Sequence, residues 1–162
     1  YLGLDLDINQ LLFASEKYNE NNIMFGQTNL SNNWSSFWLN PYMNIEWSYI
    51  VANFSLSHFF NEYFFEQLNK ITKPGAKFIF NIVDENKKEL SFSKSYIEVD
   101  SENDIVNYKF EWTHDTIKTE KLIRHKDIEF IANKFNWSIK LVENYETNDL
   151  VGFYKWYLLE KN

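Results

Sequence analysis

The chain has 162 residues, the size of one ordinary domain, and its aromatic content of 19% excludes a disordered chain. It carries 16 Lys and Arg against 23 Asp and Glu, which gives a formal net charge of -7. This charge excludes a protein that coats nucleic acid through a wide basic face, because phosphate contacts need clustered cations, but it allows one RNA end in a pocket.

The first third of the chain predicts a strand, a helix, a strand and a long loop. Residues 1–4 are apolar and predict a strand, and a helical pattern follows as far as residue 18. Asp7 is placed to cap that helix. Four residues are predicted to share one inward face of the helix: Ile8, Leu11, Leu12 and Ser15. A short strand is predicted at 23–25, and a loop rich in Asn and Ser runs from 29 to 44.

Strands and helices alternate from residue 45 onward. Six segments predict strands by an apolar or alternating pattern: 45–53, 76–83, 96–99, 105–112, 137–142 and 153–159. Apolar residues recur at helical spacing in two others: 60–71 and 128–135. The order predicts an α/β fold with an antiparallel end. We find no repeat and no linker, so residues 1–162 are expected to form a single domain.

One acidic residue stands where nucleoside ligands bind in open α/β sheets, at the carboxyl end of a strand. Asp5 follows the first strand, and a carboxylate there can accept both hydroxyls of a ribose. Asp7 already caps the helix, which is expected to leave Asp5 free. Two other interpretations stay open, an aspartyl-nucleophile phosphatase and a metal-binding Asp-x-Asp of a glycosyltransferase. The phosphatase pattern expects Thr or Val where Asn9 stands and a later acidic pair that we do not find.

The sequence contains no pattern that is typical of other common functional sites. The three His residues are scattered, without a second ligand three or four positions away, so no metal site is predicted. No Gly-x-Ser-x-Gly, phosphate-binding loop or Gly-x-Gly-x-x-Gly pattern is present. There is no Cys, no apolar run near the roughly 20 residues of a membrane-crossing helix and no signal peptide. We therefore expect an intracellular, cytoplasmic protein without a membrane partner.

Two segments near the start of the chain carry a resemblance to a known family. Residues 1–7 read Tyr-Leu-Gly-Leu-Asp-Leu-Asp, and residues 14–18 read Ala-Ser-Glu-Lys-Tyr. They look like the second strand and helix of class I S-adenosylmethionine-dependent methyltransferases. The resemblance implies a Rossmann-like, mostly parallel sheet with an antiparallel C-terminal hairpin.

Four later segments narrow the resemblance. Residues 52–60 (Ala-Asn-Phe-Ser-Leu-Ser-His-Phe-Phe) resemble a segment of messenger RNA cap guanine-N7 methyltransferases, and residues 73–80 (Lys-Pro-Gly-Ala-Lys-Phe-Ile-Phe) follow at the matching distance. Residues 119–123 (Thr-Glu-Lys-Leu-Ile) and 152–161 (Gly-Phe-Tyr-Lys-Trp-Tyr-Leu-Leu-Glu-Lys) resemble that family's later motifs. The likeness is strongest to the viral capping-enzyme branch, and it covers nearly the whole chain.

The resemblance implies a site for S-adenosylmethionine. Asp5 would hold the ribose of this methyl donor, and Leu6 would flank its adenine. Thr28 stands where the family has an acidic residue that meets the adenine amino group, and Asn53 stands where the family has Gln. Phe54 follows Asn53 on the segment that lies near the donor.

The resemblance also implies a site for the cap guanine at the 5′ end of an RNA. Ser57 and His58 replace the family's His-Tyr pair on the segment between donor and guanine. Val83 would form part of the guanine pocket, and Tyr154 would pack against the base. Glu120 would accept hydrogen bonds from N1 and N2 of guanine, although a Glu without this resemblance would be read as a surface charge.

The implied reaction moves a methyl group to N7 of the cap guanine by alignment, without a general base. The departures at Thr28, Asn53, Ser57 and His58 also leave an alternative, a catalytically degenerate subunit that stabilises or stimulates a capping-enzyme partner. A methyltransferase that acts on a small molecule or a protein is a third possibility.

One part of the family's fold has no counterpart in this sequence. The first strand and its glycine-rich turn, which hold the methionine end of the donor, are not found before Tyr1. That strand lies in the middle of the family's sheet, and its absence would leave backbone groups unpaired, at about 1–3 kcal/mol each. We therefore expect a missing N-terminal segment, or another chain of a capping enzyme, to complete the domain.

Overall fold

The computed structural model describes residues 1–5, 7–18, 20, 23–32, 45–53, 55–92, 94–109, 116–144 and 152–162. Of the predicted site residues, Leu6 and Phe54 lie outside the described residues. The chain forms two compact units, which are described separately below. The first unit comprises residues 1–47 and 61–72, and the second comprises residues 48–60 and 73–162.

The first unit contains the predicted strand–helix–strand segment. Strand β1 (Leu2–Asp5) is followed by helix α1 (Ile8–Lys17) and strand β2 (Met24–Gln27). β1 and β2 pair in parallel, with Leu2 opposite Met24 and Asp5 opposite Gln27. The cap is also confirmed, because Asp7 Oδ1 accepts a hydrogen bond of 2.8 Å from the Asn9 amide. This βαβ unit was predictable because each of its elements carries its own local signal.

The predicted inward face of α1 is wrong in part. Leu11 is buried at 7% exposure, but Ile8 and Leu12 are exposed at 46% and 54%. Ile8 and Leu12 are four residues apart and lie in one row along the helix, beside the row that contains Leu11. Ser15, the fourth residue of the predicted face, is also exposed, so the two-stranded sheet covers Leu11 and leaves the other three residues in solvent.

Helix α2 (Glu62–Ile71) also belongs to the first unit, and its start is fixed by Asn61. Asn61 Oδ1 accepts from the Phe64 amide at 2.8 Å, and its Nδ2 donates to the Ser31 carbonyl at 2.9 Å. Phe64 and Phe65 are buried, with their rings edge to face at 5.3 Å. The helix thus begins two residues after the predicted start, where a side chain satisfies its first free amides.

The second unit contains a four-stranded sheet built from β3 (Trp47–Ala52), β4 (Thr72–Val83), β9 (Trp137–Asn144) and β10 (Tyr154–Lys161). The strand order is β3-β4-β10-β9, and β10 runs antiparallel to both of its neighbours. The closing hairpin predicted from the sequence is therefore confirmed. Its last strand inserts between β4 and β9 rather than extending the edge of the sheet.

Aromatic rings fill the core of this sheet. The Phe80 ring stacks on the Tyr157 ring with centroids 5.2 Å apart, and Phe78 lies 4.7 Å from Phe80 and 6.4 Å from Trp137. Helix α3 (His125–Lys134) lies against β9 and buries three apolar residues: Ile128, Ile131 and Ala132. The burial of these rings agrees with the apolar pattern that predicts a strand from 76 to 83.

A second sheet in this unit is larger than predicted. It consists of four antiparallel strands in chain order: β5 (Glu89–Phe92), β6 (Ser95–Asp100), β7 (Ile105–Lys109) and β8 (Lys118–Lys121). The sequence predicted only β6 and β7. β8 reads Lys-Thr-Glu-Lys and has no apolar residue, so its place in the sheet comes from pairing with β7 rather than from its own composition.

The sheets differ from the mostly parallel arrangement that was predicted. Among the described strands, β1 and β2 pair in parallel. The five other strand pairs whose opposite residues are defined are antiparallel. The difference arises because the accessory strands form a full antiparallel sheet and because β10 inserts between two strands. The α-helices of the described residues have ten residues each, and no helix there is long and apolar enough to span a bilayer.

Gly3 offers a test of the packing between β1 and β2. A Cβ at this position would lie 2.7 Å from Cδ1 of Phe25, its partner on β2. We expect Gly3→Ala to lower the free energy of unfolding by about 1–3 kcal/mol, measured by urea denaturation, because the ring has to move. Phe25→Leu in the same chain removes the ring and should recover part of that loss. Strictly additive losses in the double variant would contradict this explanation.

Candidate functional site

The candidate site in the second unit centres on a carboxylate that meets a short turn. The 3₁₀ turn Leu56–His58 lies against β8. Nδ1 of His58 and Oε1 of Glu120 are 2.8 Å apart, and the side chains are 60% and 16% exposed. Ser57, the neighbour of His58, lies close enough to the Glu120 carboxyl to lower its pKa. Three residues predicted for the guanine site therefore lie together.

The register of β7 and β8 explains why Glu120 is partly buried. Glu120 lies opposite Val106, and Lys118 lies opposite Tyr108, so these four side chains share one face of the sheet. Val106 and Tyr108 are buried at 2% and 8% exposure. The charge of Glu120 therefore lies beside an apolar surface. The polar sequence of β8 alone does not predict this position.

The remaining residues predicted for the guanine site join the same surface. Val83 at the end of β4 and Tyr154 at the start of β10 are opposite each other in register. Both belong to one apolar cluster with these buried residues: Ile97, Val106, Tyr108, Leu122 and Phe153. Tyr154 lies close enough to Glu120 for the carboxylate to affect its ionisation. The structure thus brings together Ser57, His58, Val83, Glu120 and Tyr154; their roles toward a ligand remain predictions.

The surroundings of Glu120 favour its ionised form. Burial raises the pKa of this carboxyl, but hydrogen bonds from His58 and Ser57, with the nearby charges of His58 and Lys118, bring the pKa below its ordinary value of 4.5. Burial and the Glu120 charge raise the pKa of Tyr154 to about 12. Burial, with Tyr154 and Glu120 nearby, also raises the pKa of Tyr108 far above 10.0. The site therefore combines one anionic acceptor with two protonated phenols.

One oxygen of this carboxylate has no protein partner in the part of the chain that the structure describes. Oε2 of Glu120 is buried and accepts no hydrogen bond from the described residues. An ionised carboxylate offers only acceptors, and a buried acceptor without a donor costs about 1–3 kcal/mol. The arrangement fits a ligand that carries an N–H or O–H donor and a flat apolar part that can pack against the neighbouring rings.

The structure gives less support for the residues predicted to bind the methyl donor. Asp5 ends β1 and is exposed, as predicted, but the expectation that it is free of a local role is wrong. Its Oδ1 accepts a hydrogen bond of 2.9 Å from the Asp7 amide, because the chain turns directly from β1 into α1. The Asp5 carbonyl accepts from the Thr28 amide at 2.9 Å, and Thr28 is buried at 6% exposure.

Asn53, the predicted substitute for the family's Gln, follows the end of β3 and is exposed. Its Oδ1 accepts a hydrogen bond of 3.0 Å from Nδ2 of Asn81, which is buried at 2% exposure near the C-terminal end of β4. The sequence analysis did not single out Asn81. The signal was present, because Asn81 interrupts an otherwise apolar strand, and a buried amide needs a partner.

A second residue that sequence reasoning missed is Tyr108 on β7. Its side chain lies close enough to Ser57, Glu120 and Tyr154 for them to affect its ionisation. A Tyr at an alternating position of a strand is ordinary core material, so nothing local distinguished it. Its importance depends on the contact with the turn around Ser57, which is 51 positions earlier in the chain.

Comparisons with known proteins find similar folds. No protein-family model and no curated protein matches the sequence. The chain is similar in structure to S-adenosylmethionine-dependent methyltransferases from Clostridium acetobutylicum (TM-score 0.67, 17% identity, 99% of this chain and 74% of that one) and Mesorhizobium loti (0.71, 12%, 99% and 79%). It also resembles an S-adenosylmethionine-bound amino pentose methyltransferase from Micromonospora echinaspora (0.65, 8%, 99% and 73%). At these identities the likeness shows a methyltransferase-like α/β fold.

The ionisation of Glu120 predicts how stability depends on pH. Because the folded chain lowers this pKa, the stabilisation is present above the ordinary value of 4.5 and is lost as pH falls through the folded value. We expect the free energy of unfolding of the unmodified chain to fall more between about pH 6 and about pH 3.5 than that of Glu120→Gln, in urea titrations. Parallel pH curves for the unmodified chain and Glu120→Gln would exclude this role.

Proposed function

We propose that this chain is a methyltransferase domain that moves a methyl group from S-adenosylmethionine to N7 of the guanine in an mRNA cap. Two observations support the proposal. The fold is similar to those of S-adenosylmethionine-dependent methyltransferases over 99% of the chain. The five residues expected at a guanine site, which come from distant parts of the sequence, meet in one unit.

The open oxygen of Glu120 carries the proposal. Guanine presents two N–H donors side by side on its Watson–Crick edge, at N1 and N2, whereas adenine presents an unprotonated N1 at the corresponding place. An ionised carboxylate can accept only, so it pairs with guanine and opposes adenine. Oε2 of Glu120 is buried and available for such a donor, whereas Oε1 is bonded to His58.

The surroundings of Glu120 suit a purine in other respects. Val83 and Tyr154 are neighbours across two strands and give an apolar and aromatic surface beside the carboxylate. A planar base that covers this surface would exclude water from the hydrogen bonds to Glu120 and strengthen them. His58 is 60% exposed, so it can move without disturbing the core.

The chemistry requires little of the protein. Guanine N7 has its own lone pair and no proton to lose, so no side chain has to act as a general base. When bound, S-adenosylmethionine supplies an activated methyl group on a sulfonium. The side chains around Glu120 then contribute by holding N7 in line with that methyl group.

The residues predicted to contact the donor lie in different units and are considered one by one. Asp5 is an exposed carboxylate at the end of a strand, and its oxygens keep lone pairs beyond the bond to the Asp7 amide, so it can still accept from ribose hydroxyls. Asn53 is exposed and held by Asn81. We retain Leu6 and Phe54 as predicted donor contacts, although both lie outside the described residues.

A second candidate function is a degenerate methyltransferase-like subunit that stabilises or stimulates a capping-enzyme partner. One observation favours it: Thr28 replaces the acidic residue expected at the adenine and is buried at 6% exposure, so it offers no carboxylate to an adenine amino group. Under this proposal the guanine site persists and donor binding is lost.

The proposal keeps two expectations from the sequence. The substrate partner is the capped 5′ end of an RNA. The first strand and glycine-rich turn of a class I sheet would come from a segment outside residues 1–162 or from another chain of a capping enzyme.

The guanine site is tested by binding of cap dinucleotides without any donor. We expect the chain to bind GpppA more tightly than ApppA in calorimetry, and Glu120→Gln to reduce that preference by about 2–3 kcal/mol, since a charged acceptor is lost. Glu98→Gln, on the same accessory sheet but exposed, should keep the preference. Equal affinity of the unmodified chain for GpppA and ApppA would reject the cap assignment and favour a small-molecule or protein substrate.

Binding of S-adenosylhomocysteine separates the enzyme from the degenerate subunit. We expect the enzyme to bind it and Asp5→Ala to weaken binding by about 1.5–3 kcal/mol, because hydrogen bonds to a charged acceptor are lost. Methyl transfer from S-adenosylmethionine to a GpppA-ended RNA is the activity measured in parallel. A chain that discriminates GpppA from ApppA, gives no heat with S-adenosylhomocysteine and transfers no methyl group is the degenerate subunit.

A further inference from the structure

Arg124 is the one Arg among the 16 Lys and Arg residues of the chain. Every other position of this kind is Lys, whose ammonium group offers no planar set of donors. Arg124 lies four positions after Glu120, between the end of β8 and the start of α3, and its side chain is only 22% exposed. A single, half-buried Arg in a chain that otherwise uses Lys indicates a position where several acceptors are bound at once.

The guanidinium of Arg124 joins two segments that are distant in the sequence. Its Nε donates to Oδ1 of Asp104 at 2.7 Å, and its Nη2 donates to the same oxygen and, at 2.6 Å, to the Ser101 carbonyl. Its Nη1 donates to Oε2 of Glu85 at 3.3 Å. Ser101 and Asp104 form the turn between β6 and β7, and Glu85 follows β4. One side chain therefore links the sheet that contains β4 to the sheet that contains β7 and β8.

Further hydrogen bonds support the same junction. Oγ of Ser101 donates to the Glu85 carbonyl at 3.1 Å. The amide of Leu122, a residue buried at 1% exposure, donates to the Asp104 carbonyl at 2.8 Å. A single surface ion pair contributes little to stability, but an Arg within a network of acceptors is the exception. The segment that follows β8 is thus anchored, and Arg124 is the centre of the anchor.

The candidate guanine site needs such an anchor because its parts come from both sheets. Val83 ends β4, whereas Glu120 lies on β8, an edge strand without an apolar residue. The contact of 2.8 Å between Nδ1 of His58 and Oε1 of Glu120 also crosses between the sheets, since His58 belongs to the turn after β3. Glu85 is two positions after Val83, and Arg124 is four positions after Glu120. Their bond therefore links the sheets close to both parts of the site.

We propose that Arg124 is a positioning residue, which holds the Glu120 carboxylate in place beside Val83 so that Oε2 can meet a guanine edge. The proposal rests on the proposed function for its ligand. Arg124 acts through the main chain after β8 and through its bond to Glu85, and it does not need to touch the ligand. Hydrogen bonds weaken steeply when their angles are poor, so a small shift between the sheets would lower the discrimination between guanine and adenine.

Arg124→Lys tests the proposal because it keeps the charge and removes the planar set of donors. The matched control is Lys140→Gln, which removes a surface ion pair of 3.7 Å with Glu160 in the same unit. We expect Arg124→Lys to reduce the preference for GpppA over ApppA about 3- to 10-fold in calorimetry. In the ligand-free chain, nuclear Overhauser contacts between the His58 ring and the Glu120 side chain should weaken. Lys140→Gln should change neither property.

A double variant separates positioning from a general loss of stability. In a Glu120→Gln background, Arg124→Lys should cause no further loss of preference, because the carboxylate that it positions is absent. If Arg124→Lys does not fold, Glu85→Gln is the second variant. It weakens one bond of the guanidinium and should reduce the preference and the His58–Glu120 contacts to a smaller extent.

Unchanged contacts between His58 and Glu120 in a folded Arg124→Lys chain would overturn the proposal. A loss of preference that persists in the Glu120→Gln background would also overturn it, since Arg124 would then act by another route. If the unmodified chain does not prefer GpppA, the proposed function fails, and the His58–Glu120 contacts alone decide whether Arg124 positions Glu120.

Discussion

The candidate site depends on keeping a negative charge on Glu120 at the apolar face of a sheet. Burial alone favours the neutral acid, which would present a hydroxyl where the ionised form presents only acceptors. Hydrogen bonds from His58 and Ser57 outweigh burial and keep the charge. The carboxylate is therefore held through one oxygen by the protein, and its other oxygen is buried without a donor among the described residues. Each property proposed for the site follows from this division between the two oxygens.

The sequence could predict those elements that carry a local signal. Asp7 capped α1 as expected, and the closing strands formed the predicted hairpin. β8 could not be predicted, because a strand that reads Lys-Thr-Glu-Lys has no pattern of its own and is defined by its pairing with β7. The exposure of Leu12 was missed for a related reason, since helical spacing does not reveal how wide the facing sheet will be.

The site residues were predictable only in part, for a similar physical reason. Spacing alone gives no cause to bring Ser57 and Glu120 together, and the resemblance to cap methyltransferases supplied both positions. The resemblance could not supply Asn81 or Tyr108, because their importance depends on which side chain each one meets across two elements. Local patterns indicate that a residue is buried, but they do not indicate which partner its polar atom will find.

The two sides of the proposed reaction place different demands on the chain. Recognition of guanine needs one carboxylate and an apolar surface, and the second unit provides both. Methyl transfer also needs the donor held so that its methyl group lies in line with N7, and a misplacement of about 1 Å can cost a factor of 100 in rate. Affinity tolerates such errors far better than rate does, so a chain with this fold can lose transfer and keep recognition. The presence of Thr28 in place of an acidic residue is therefore compatible with both proposals, the enzyme and the degenerate subunit. Binding of S-adenosylmethionine is the property that distinguishes the two proposals.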